Sequence, residues 1–287
     1  ALFSIITGQL DAENVIVAGG GASSGASLVF TNVATGSITN MQVSDFYRQD
    51  KGQAALFYMS NTRIAIDSLV TTNTTGMFKL ESCTLNLTNS QISDIVNTFS
   101  NQFLIDMSDT TLNVNGLVFT GNDQYNTLLP FIGGIKNSAS IVNSYFSNAT
   151  GGTGQVFSLK SSTRIFISGT TFTYVKDLLG VTIFSLTSST NVVIQDCVFK
   201  LAGKVLRATT VQTGLYFVNN IIVTNSHLQN IYVKSAADSY FAGNIILRTR
   251  NVTTTSLPES QVEFLDSTSS TVIENNKFIM LWGTKGI

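Results

Sequence analysis

The chain contains few of the residues that usually supply catalysis, cross-links or strong charge. Its 287 residues include two prolines, two cysteines and one histidine, and charged residues make up 11% of the total with a net charge of −1. This weak charge excludes the basic surface that nucleic acid or anionic lipid requires. No apolar run approaches the ~18 residues of a membrane-spanning helix. Because proline cannot donate to a strand ladder, its scarcity favours strands that are hydrogen-bonded on both sides.

A turn-forming residue recurs along the chain at intervals of 21 to 31 residues. An apolar residue precedes it by two positions and another follows it by three, as in IVNSYF around Asn143 and ISGTTF around Gly169. Glycine, asparagine and aspartate tolerate the left-handed backbone of a tight turn. A fixed period of this size predicts a solenoid of strands. The eleven positions are Gly19, Asn40, Ser68, Asn89, Gly116, Asn143, Gly169, Asp196, Asn219, Asn244 and Asn275.

A column of phenylalanines has the same period. Around them the pattern F-x-apolar-x, as in FKLE and FSLK, indicates a strand with one buried face. With the strands on either side of the turn residue, each repeat carries three short strands. The sequence therefore predicts one all-β domain over residues 1–287, a parallel β-helix of about eleven coils. The phenylalanines are Phe57, Phe78, Phe103, Phe131, Phe157 and Phe184.

The two cysteines lie far apart in this predicted fold. Cys83 and Cys197 are separated by four coils, or about 19 Å at the usual spacing of ~4.8 Å between strands. A disulfide requires Cα atoms within about 7 Å. We therefore expect both cysteines to be unpaired.

The repeat resembles that of right-handed parallel β-helix proteins of the pectin-lyase-like group over essentially the whole chain. The segment FSNATGGTGQVFSL at residues 146–159 also resembles the repeats of polymorphic outer-membrane and protist surface proteins. The resemblance implies a right-handed solenoid. That group includes polysaccharide lyases and hydrolases, phage tailspikes and non-catalytic surface proteins.

The residues that enzymes of this group use are missing. The chain has no Asp-Asp, Gly-His-Gly or Arg-Ile-Lys sequence. Glu81 and Asp106 are predicted to be neighbours in one outward column, which Lys136 and Lys160 continue, and this pattern is typical of a solvated charge ladder. Asp106 and Asp109 lack the glycine and distal glutamate of a calcium loop. We expect no catalytic residue, no cofactor and no metal site.

Four sequons make the chain a candidate glycoprotein if it is secreted. Three of them map to predicted loops, and Asn86 is predicted to point outward between the inward-facing Leu85 and Leu87. The candidate residues for N-glycans are Asn73, Asn86, Asn148 and Asn251.

Both ends of the chain continue the solenoid pattern, without a visible capping segment. An uncapped solenoid exposes unpaired backbone groups and an open apolar core, which favours the addition of another coil. The partner would be a second copy, stacked head to tail, or adjoining repeats of a longer chain. The end-stacking candidates are Leu2, Phe3, Ile5, Phe278, Ile279 and Trp282.

The residue three positions before the turn residue is predicted to point outward. In earlier coils it is small or polar, whereas in five later coils it is apolar, which indicates either a covering segment, such as residues 248–261, or a protein interface. The lateral-interface candidates are Phe166, Val193, Tyr216, Phe241 and Val272.

These features favour a non-enzymatic structural subunit or segment of an extracellular fibre on a cell surface. It would assemble by stacking coils end to end, and it would bind no nucleic acid and span no membrane. Two alternatives remain at this point. One is a surface adhesin or carbohydrate-binding β-helix, and the other is a polysaccharide lyase or hydrolase.

Overall fold

The structure of the chain is a computed structural model. It describes residues 3–22, 28–48, 55–74, 78–94, 104–121, 132–147, 155–173, 182–200, 204–211, 213–224, 230–250, 262–265 and 271–282. The regular structure within these ranges consists of β-strands. The all-β prediction is therefore confirmed.

The strands in chain order are β1 (Phe3–Ile5), β2 (Gly8–Glu13), β3 (Ile16–Ala22), β4 (Leu28–Thr31), β5 (Val33–Arg48), β6 (Phe57–Ser60), β7 (Arg63–Thr72), β8 (Phe78–Glu81), β9 (Thr84–Thr88), β10 (Gln91–Ser93), β11 (Ile105–Ser108), β12 (Thr111–Asn115), β13 (Val118–Thr120), β14 (Ile132–Ile135), β15 (Ser138–Val142), β16 (Tyr145–Ser147), β17 (Gln155–Lys160), β18 (Thr163–Ser168), β19 (Thr171–Thr173), β20 (Thr182–Thr187), β21 (Thr190–Gln195), β22 (Val198–Lys200), β23 (Lys204–Thr209), β24 (Thr213–Val218), β25 (Ile221–Thr224), β26 (Ile231–Lys234), β27 (Ser239–Ala242), β28 (Ile245–Arg250), β29 (Val262–Leu265), β30 (Thr271–Glu274) and β31 (Lys277–Trp282).

The strands form three faces of a parallel β-solenoid. Face A is a sheet whose eleven strands follow one another in the order β1-β4-β6-β8-β11-β14-β17-β20-β23-β26-β29. The second sheet contains two faces. Face B runs from β2 to β30 and face C runs from β3 to β31, while β5 and β7 pass through both faces. Each coil thus contributes one strand to each face, and every strand pairs in parallel with its equivalent in the next coil, as predicted.

The core is built from like side chains stacked on like side chains. Phe57 stacks on Phe78 with ring centroids 4.7 Å apart, close to the spacing of paired strands. The predicted column is correct at Phe157 and Phe184, but Ile105 and Ile132 occupy the places expected for Phe103 and Phe131. Both of these phenylalanines lie outside the described residues. The error arose because the sequence carries a phenylalanine two residues before the first residue of β11 and one residue before the first residue of β14.

A left-handed residue forms the corner between faces B and C in each coil. Nine of the eleven predicted positions have positive φ and lie at this corner. In the first coil the corner residue is Asn14, because Gly19 lies further along, aligned with Asp45 of face C. In the coil of β27 it is Gly243 (φ 66°) and not Asn244, whose side chain is fully buried.

A second column of left-handed residues joins faces A and B, and the sequence pattern did not predict it. Several of its members are serine, threonine or lysine, which have little preference for positive φ, so composition gives a weak signal there. The members are Asn32, Asn61, Ser82, Asp109, Lys136, Ser161, Ser188, Thr210 and Ser235.

Inward-pointing polar residues follow many corner residues and form hydrogen-bonded ladders. Asn220 N–H donates to Asn244 Oδ1 at 2.9 Å, and Asn244 N–H donates to Asn276 Oδ1 at 3.0 Å. At the other corner, Thr110 N–H donates to Asn137 Oδ1 at 2.9 Å. At the corners, where strand pairing is interrupted, these side-chain oxygens accept hydrogen bonds from backbone N–H groups. A buried backbone N–H needs such a partner.

Both cysteines are free and buried, so the prediction that they are unpaired is confirmed. Desolvation raises the pKa of the Cys197 thiol to about 12 and also raises the pKa of the Cys83 thiol. Each thiol donates to the carbonyl oxygen two residues before it. The cysteines therefore act as members of the inward ladders and not as reactive groups.

Adjacent asparagines allow a matched test of the ladder. Asn220→Leu should lower the free energy of unfolding by about 2 kcal/mol or more, because it removes the acceptor of Cys197 N–H and the donor to the Ile194 carbonyl in a buried site. Asn219→Gly is the control. It keeps the left-handed corner and should change stability by about 0.5 kcal/mol or less. Urea denaturation followed by circular dichroism measures both, and equal midpoints would contradict the ladder.

Candidate functional site

An outward column runs along the centre of face B and changes character halfway. From β18 to β30 its side chains are apolar or aromatic, and Phe166, Tyr216 and Val272 are 37%, 44% and 40% exposed. We call this set the lateral stripe. Its members, as the strand register aligns them, are Phe166, Val193, Tyr216, Tyr240 and Val272.

The prediction is wrong for one residue of the stripe, Phe241. Phe241 is only 2% exposed and belongs to the core, where its ring centroid lies 5.5 Å from that of Phe217. Its outward neighbour Tyr240 aligns with Tyr216 and takes the predicted place. The cause is the corner at Gly243, which shifts the register by one residue relative to a corner at Asn244, and a shift of one reverses the side of the sheet to which each side chain points.

The two tyrosines of the stripe lie side by side. Their ring centroids are 6.2 Å apart with planes inclined by 46°. Tyr240 Oη donates a hydrogen bond to the Glu274 carboxylate, and this hydrogen bond raises the pKa of Tyr240. Glu274 and Gln195 lie on the column beside the stripe, towards face C. This column is therefore polar beside Val193 and Val272, whereas Val218 and Ala242 occupy it beside the two tyrosines.

The earlier half of the same column is polar and internally hydrogen-bonded. Ser37 Oγ donates to Asp11 Oδ1 at 2.6 Å, and Asn113 Nδ2 donates to Asn86 Oδ1 at 2.8 Å. The rod thus has two different halves along one face, as the sequence predicts.

A second outward column on face C, which was not among the predicted sites, also carries large apolar side chains. They are half-buried to exposed, and each lies two residues after the corner residue of its coil, so the repeat itself contains the signal. The members with the greatest exposure are Ile16, Val118, Tyr145, Ile221 and Val70, at 72%, 41%, 40%, 40% and 38%. Of these residues only Ile221 lies in a coil of the lateral stripe, beyond the corner from Tyr216, and apolar surface extends around the corner there.

Face A carries a small polar cluster centred on Glu81. Tyr58 Oη donates to Glu81 Oε2 at 2.7 Å, and Lys79 Nζ lies 3.4 Å from Glu81 Oε1. The hydrogen bond to Glu81 raises the pKa of Tyr58. The pKa of the Asp106 carboxyl is raised, chiefly by desolvation. The positive charge of Lys79 opposes this increase in pKa, and the negative charge of Glu81 adds to it.

The predicted charge ladder is wrong in its register. Asp106 aligns with Lys79, and Glu81 aligns with Ser108, because Ile105 and not Phe103 occupies the buried column. Lys136 is a corner residue, outside the column in which Lys160 lies. Within the described ranges no three histidine, cysteine or acidic side chains are grouped as metal ligands would be.

The glycosylation candidates differ in their surroundings. Asn73 Nδ2, the atom that would carry an N-glycan, donates to Asp45 Oδ1 at 2.7 Å. Asn86 lies outward between the buried Leu85 and Leu87, and its side-chain Oδ1 accepts a hydrogen bond from Asn113 Nδ2. Asn148 and Asn251 lie outside the described residues.

The last coil presents core-type side chains to solvent. Ile273 and Phe278 are 54% and 57% exposed, whereas Phe241 and Ile246, their partners in the preceding coil, are each 2% exposed. Ile279 of β31 is 42% exposed.

The other end-stacking candidates lie in the first coil and at the end of β31. Phe3 pairs with Leu28 through the backbone, Ile5 is partly buried against the core, and Trp282 pairs with Arg250. Leu2 lies outside the described residues.

Comparisons with known proteins identify the fold. No protein-family profile matches the chain, and no curated protein matches it. A crystal structure of PfbA, a surface adhesin of Streptococcus pneumoniae, matches with a TM-score of 0.53 and 11% identity, over 97% of this chain and 84% of that one. At this identity the likeness concerns the parallel β-solenoid fold alone. Among the described residues, none form a helix with the length and apolar character needed to cross a bilayer.

Proposed function

We propose that this chain is a non-enzymatic, extracellular β-helix that attaches to a protein partner, as a surface adhesin does. The observation that carries the proposal is the lateral stripe, where apolar and aromatic side chains stand outward in five successive coils of an otherwise polar face. Five coils at ~4.8 Å extend over about 20 Å, which is the scale of a protein contact.

The composition of the stripe favours a protein over a glycan as the partner. Phe166, Val193 and Val272 offer apolar surface without a polar group, and burying such surface gains ~25 cal/mol per Å². Tyr216 and Tyr240 combine apolar area with a hydroxyl, and tyrosine is enriched where protein interfaces concentrate their binding energy. Polar neighbours such as Glu274 and Gln195 correspond to the rim of such an interface.

The likeness to PfbA supports this proposal at the level of the scaffold. A surface adhesin is built on a solenoid that aligns with 97% of this chain. The extracellular location is part of the proposal, and an N-glycan at Asn86 would be compatible with it, since that side chain lies outward in the polar half of face B.

The arrangement around Glu81 supports a non-catalytic function. Its two carboxylate oxygens are engaged by Tyr58 and Lys79, and Asp106 lies in a different column. A pair of carboxylates for glycosidic hydrolysis must instead flank the scissile bond from opposite sides.

Exposed core residues of the last coil favour a second candidate, a fibre in which coils stack end to end. Another coil placed on β30 and β31 would cover Ile273 and Phe278 and would pair with the outer backbone edge of both strands. The added coil would come from a second copy or from the same polypeptide.

Substitutions in the stripe test the adhesin proposal. In surface plasmon resonance against immobilised fibrinogen, laminin and type I collagen, we expect binding to at least one of them. Phe166→Ser and Tyr216→Ser should each weaken it tenfold or more, which is about 1.4 kcal/mol. Asn113→Ser, in the polar half of the same column, is the matched control and should retain binding. Absence of binding, or an equal loss in the control, contradicts the proposal.

Polysaccharide cleavage should be absent. Incubation with polygalacturonate and alginate, with and without Ca²⁺, should yield neither unsaturated nor new reducing ends, because Glu81 is engaged by Tyr58 and Lys79 and does not align with Asp106. Turnover that disappears in Glu81→Gln or Asp106→Asn would overturn the non-catalytic proposal.

Electron microscopy of the purified chain distinguishes isolated rods from filaments. The fibre candidate predicts end-to-end filaments. Ile279→Pro, which removes a backbone donor from β31, should shorten them while leaving the earlier coils folded. Isolated rods at all concentrations would leave the adhesin as the better interpretation of the fold.

A further inference from the structure

A polar groove follows the corner between faces A and B, in coils that precede the lateral stripe. It has a volume of about 620 Å³ and crosses the coils of β5, β7, β9 and β12. This size lies within the range of ~300–1,000 Å³ that is usual for small-molecule sites. Its lining consists of Val33, Ala34, Asn61, Thr62, Arg63, Ser82, Cys83, Thr84, Asp109 and Thr111.

Two rows of polar side chains line this groove at the spacing of the coils. One row consists of the corner residues Asn61, Ser82 and Asp109, all with left-handed backbone. The other row starts face B, where the register aligns Arg63 with Thr84 and Thr84 with Thr111. Successive members are about 4.8 Å apart, so each row extends about 10 Å along the rod.

The outward groups of the groove are available for a ligand. Within the described parts of the chain, the side chains of Asn61, Arg63 and Ser82 have no hydrogen-bond or ion-pair partner, and the hydroxyls of Thr84 and Thr111 likewise have none. Asp109 accepts only a long contact of 3.5 Å from Ser108 Oγ. The inward residues behave differently. Thr62 and Thr110 each donate to a backbone carbonyl and accept from a backbone N–H.

The charges in the groove favour a neutral ligand. Arg63 and Asp109 balance each other, and the nearby Glu81 is engaged by Tyr58 and Lys79. Hydroxyl, amide and guanidinium groups in parallel rows match the hydroxyls of an extended glycan, whose sugar units repeat at a distance similar to the coil spacing. We propose that this groove binds a neutral, hexose-based polysaccharide chain aligned with the solenoid axis.

This site goes beyond the proposed attachment to a protein, because it involves other coils and another class of ligand. The stripe begins at β18, whereas the groove ends at β12. A failure of one proposal therefore leaves the other standing, and variants in each site serve as controls for the other.

Titration calorimetry with the hexasaccharides of cellulose, β-1,3-glucan, β-1,4-mannan and chitin tests the groove. We expect at least one to bind the chain. Arg63→Ala and Asn61→Gly should each weaken that binding tenfold or more. Asn61→Gly keeps the left-handed corner, so the fold is preserved, and the melting curve verifies this.

Matched controls separate the groove from the rest of the surface. Arg164→Ala removes an exposed arginine from β18 on the same face, and Tyr216→Ser alters the stripe; both should leave the affinity unchanged. Absence of binding by all four sugars overturns the proposal, as does an equal loss in Arg164→Ala. Tighter binding of hexagalacturonate than of every neutral sugar would overturn the neutral class of ligand.

Discussion

Parallel pairing of each strand with its equivalent one coil later is the interaction on which the rest of this structure depends. It satisfies the backbone groups of three faces at once and places like residues above like residues. Because the side-chain period of a strand is two, the register must hold throughout the rod, since a slip of one residue would exchange core and surface. The stacked rings of Phe57 and Phe78, 4.7 Å apart, follow from this constraint.

The corners are where strand pairing is interrupted, and the chain resolves this with two kinds of residue in sequence. A left-handed residue reverses the direction of the chain, and the following inward residue supplies a side-chain acceptor for a backbone N–H of the preceding coil. Asn219 and Asn220 illustrate the division, since the first is an exposed corner residue and the second is fully buried. This arrangement explains why buried polar residues are tolerated in an apolar core.

A scaffold held together from inside leaves its outward columns free to vary. The same position on face B is an asparagine pair at Asn86 and Asn113 and an aromatic pair at Tyr216 and Tyr240. Function in such a rod therefore depends on which outward residues the stacking brings into one column. The lateral stripe and the corner groove use the same coil spacing for two different kinds of surface.

The sequence alone determined the period, the all-β solenoid, the unpaired cysteines and the outward position of the polar half of face B, because each follows from a pattern that repeats many times. Tertiary structure decided the register wherever one residue type could serve two positions. Gly243 and Asn244 both tolerate a left-handed backbone, and only the buried ladder with Asn220 and Asn276 decides that the glycine turns. That choice places Tyr240 outward and Phe241 inward. The groove was likewise invisible in the sequence, because its two rows come from coils more than twenty residues apart and meet only when those coils stack.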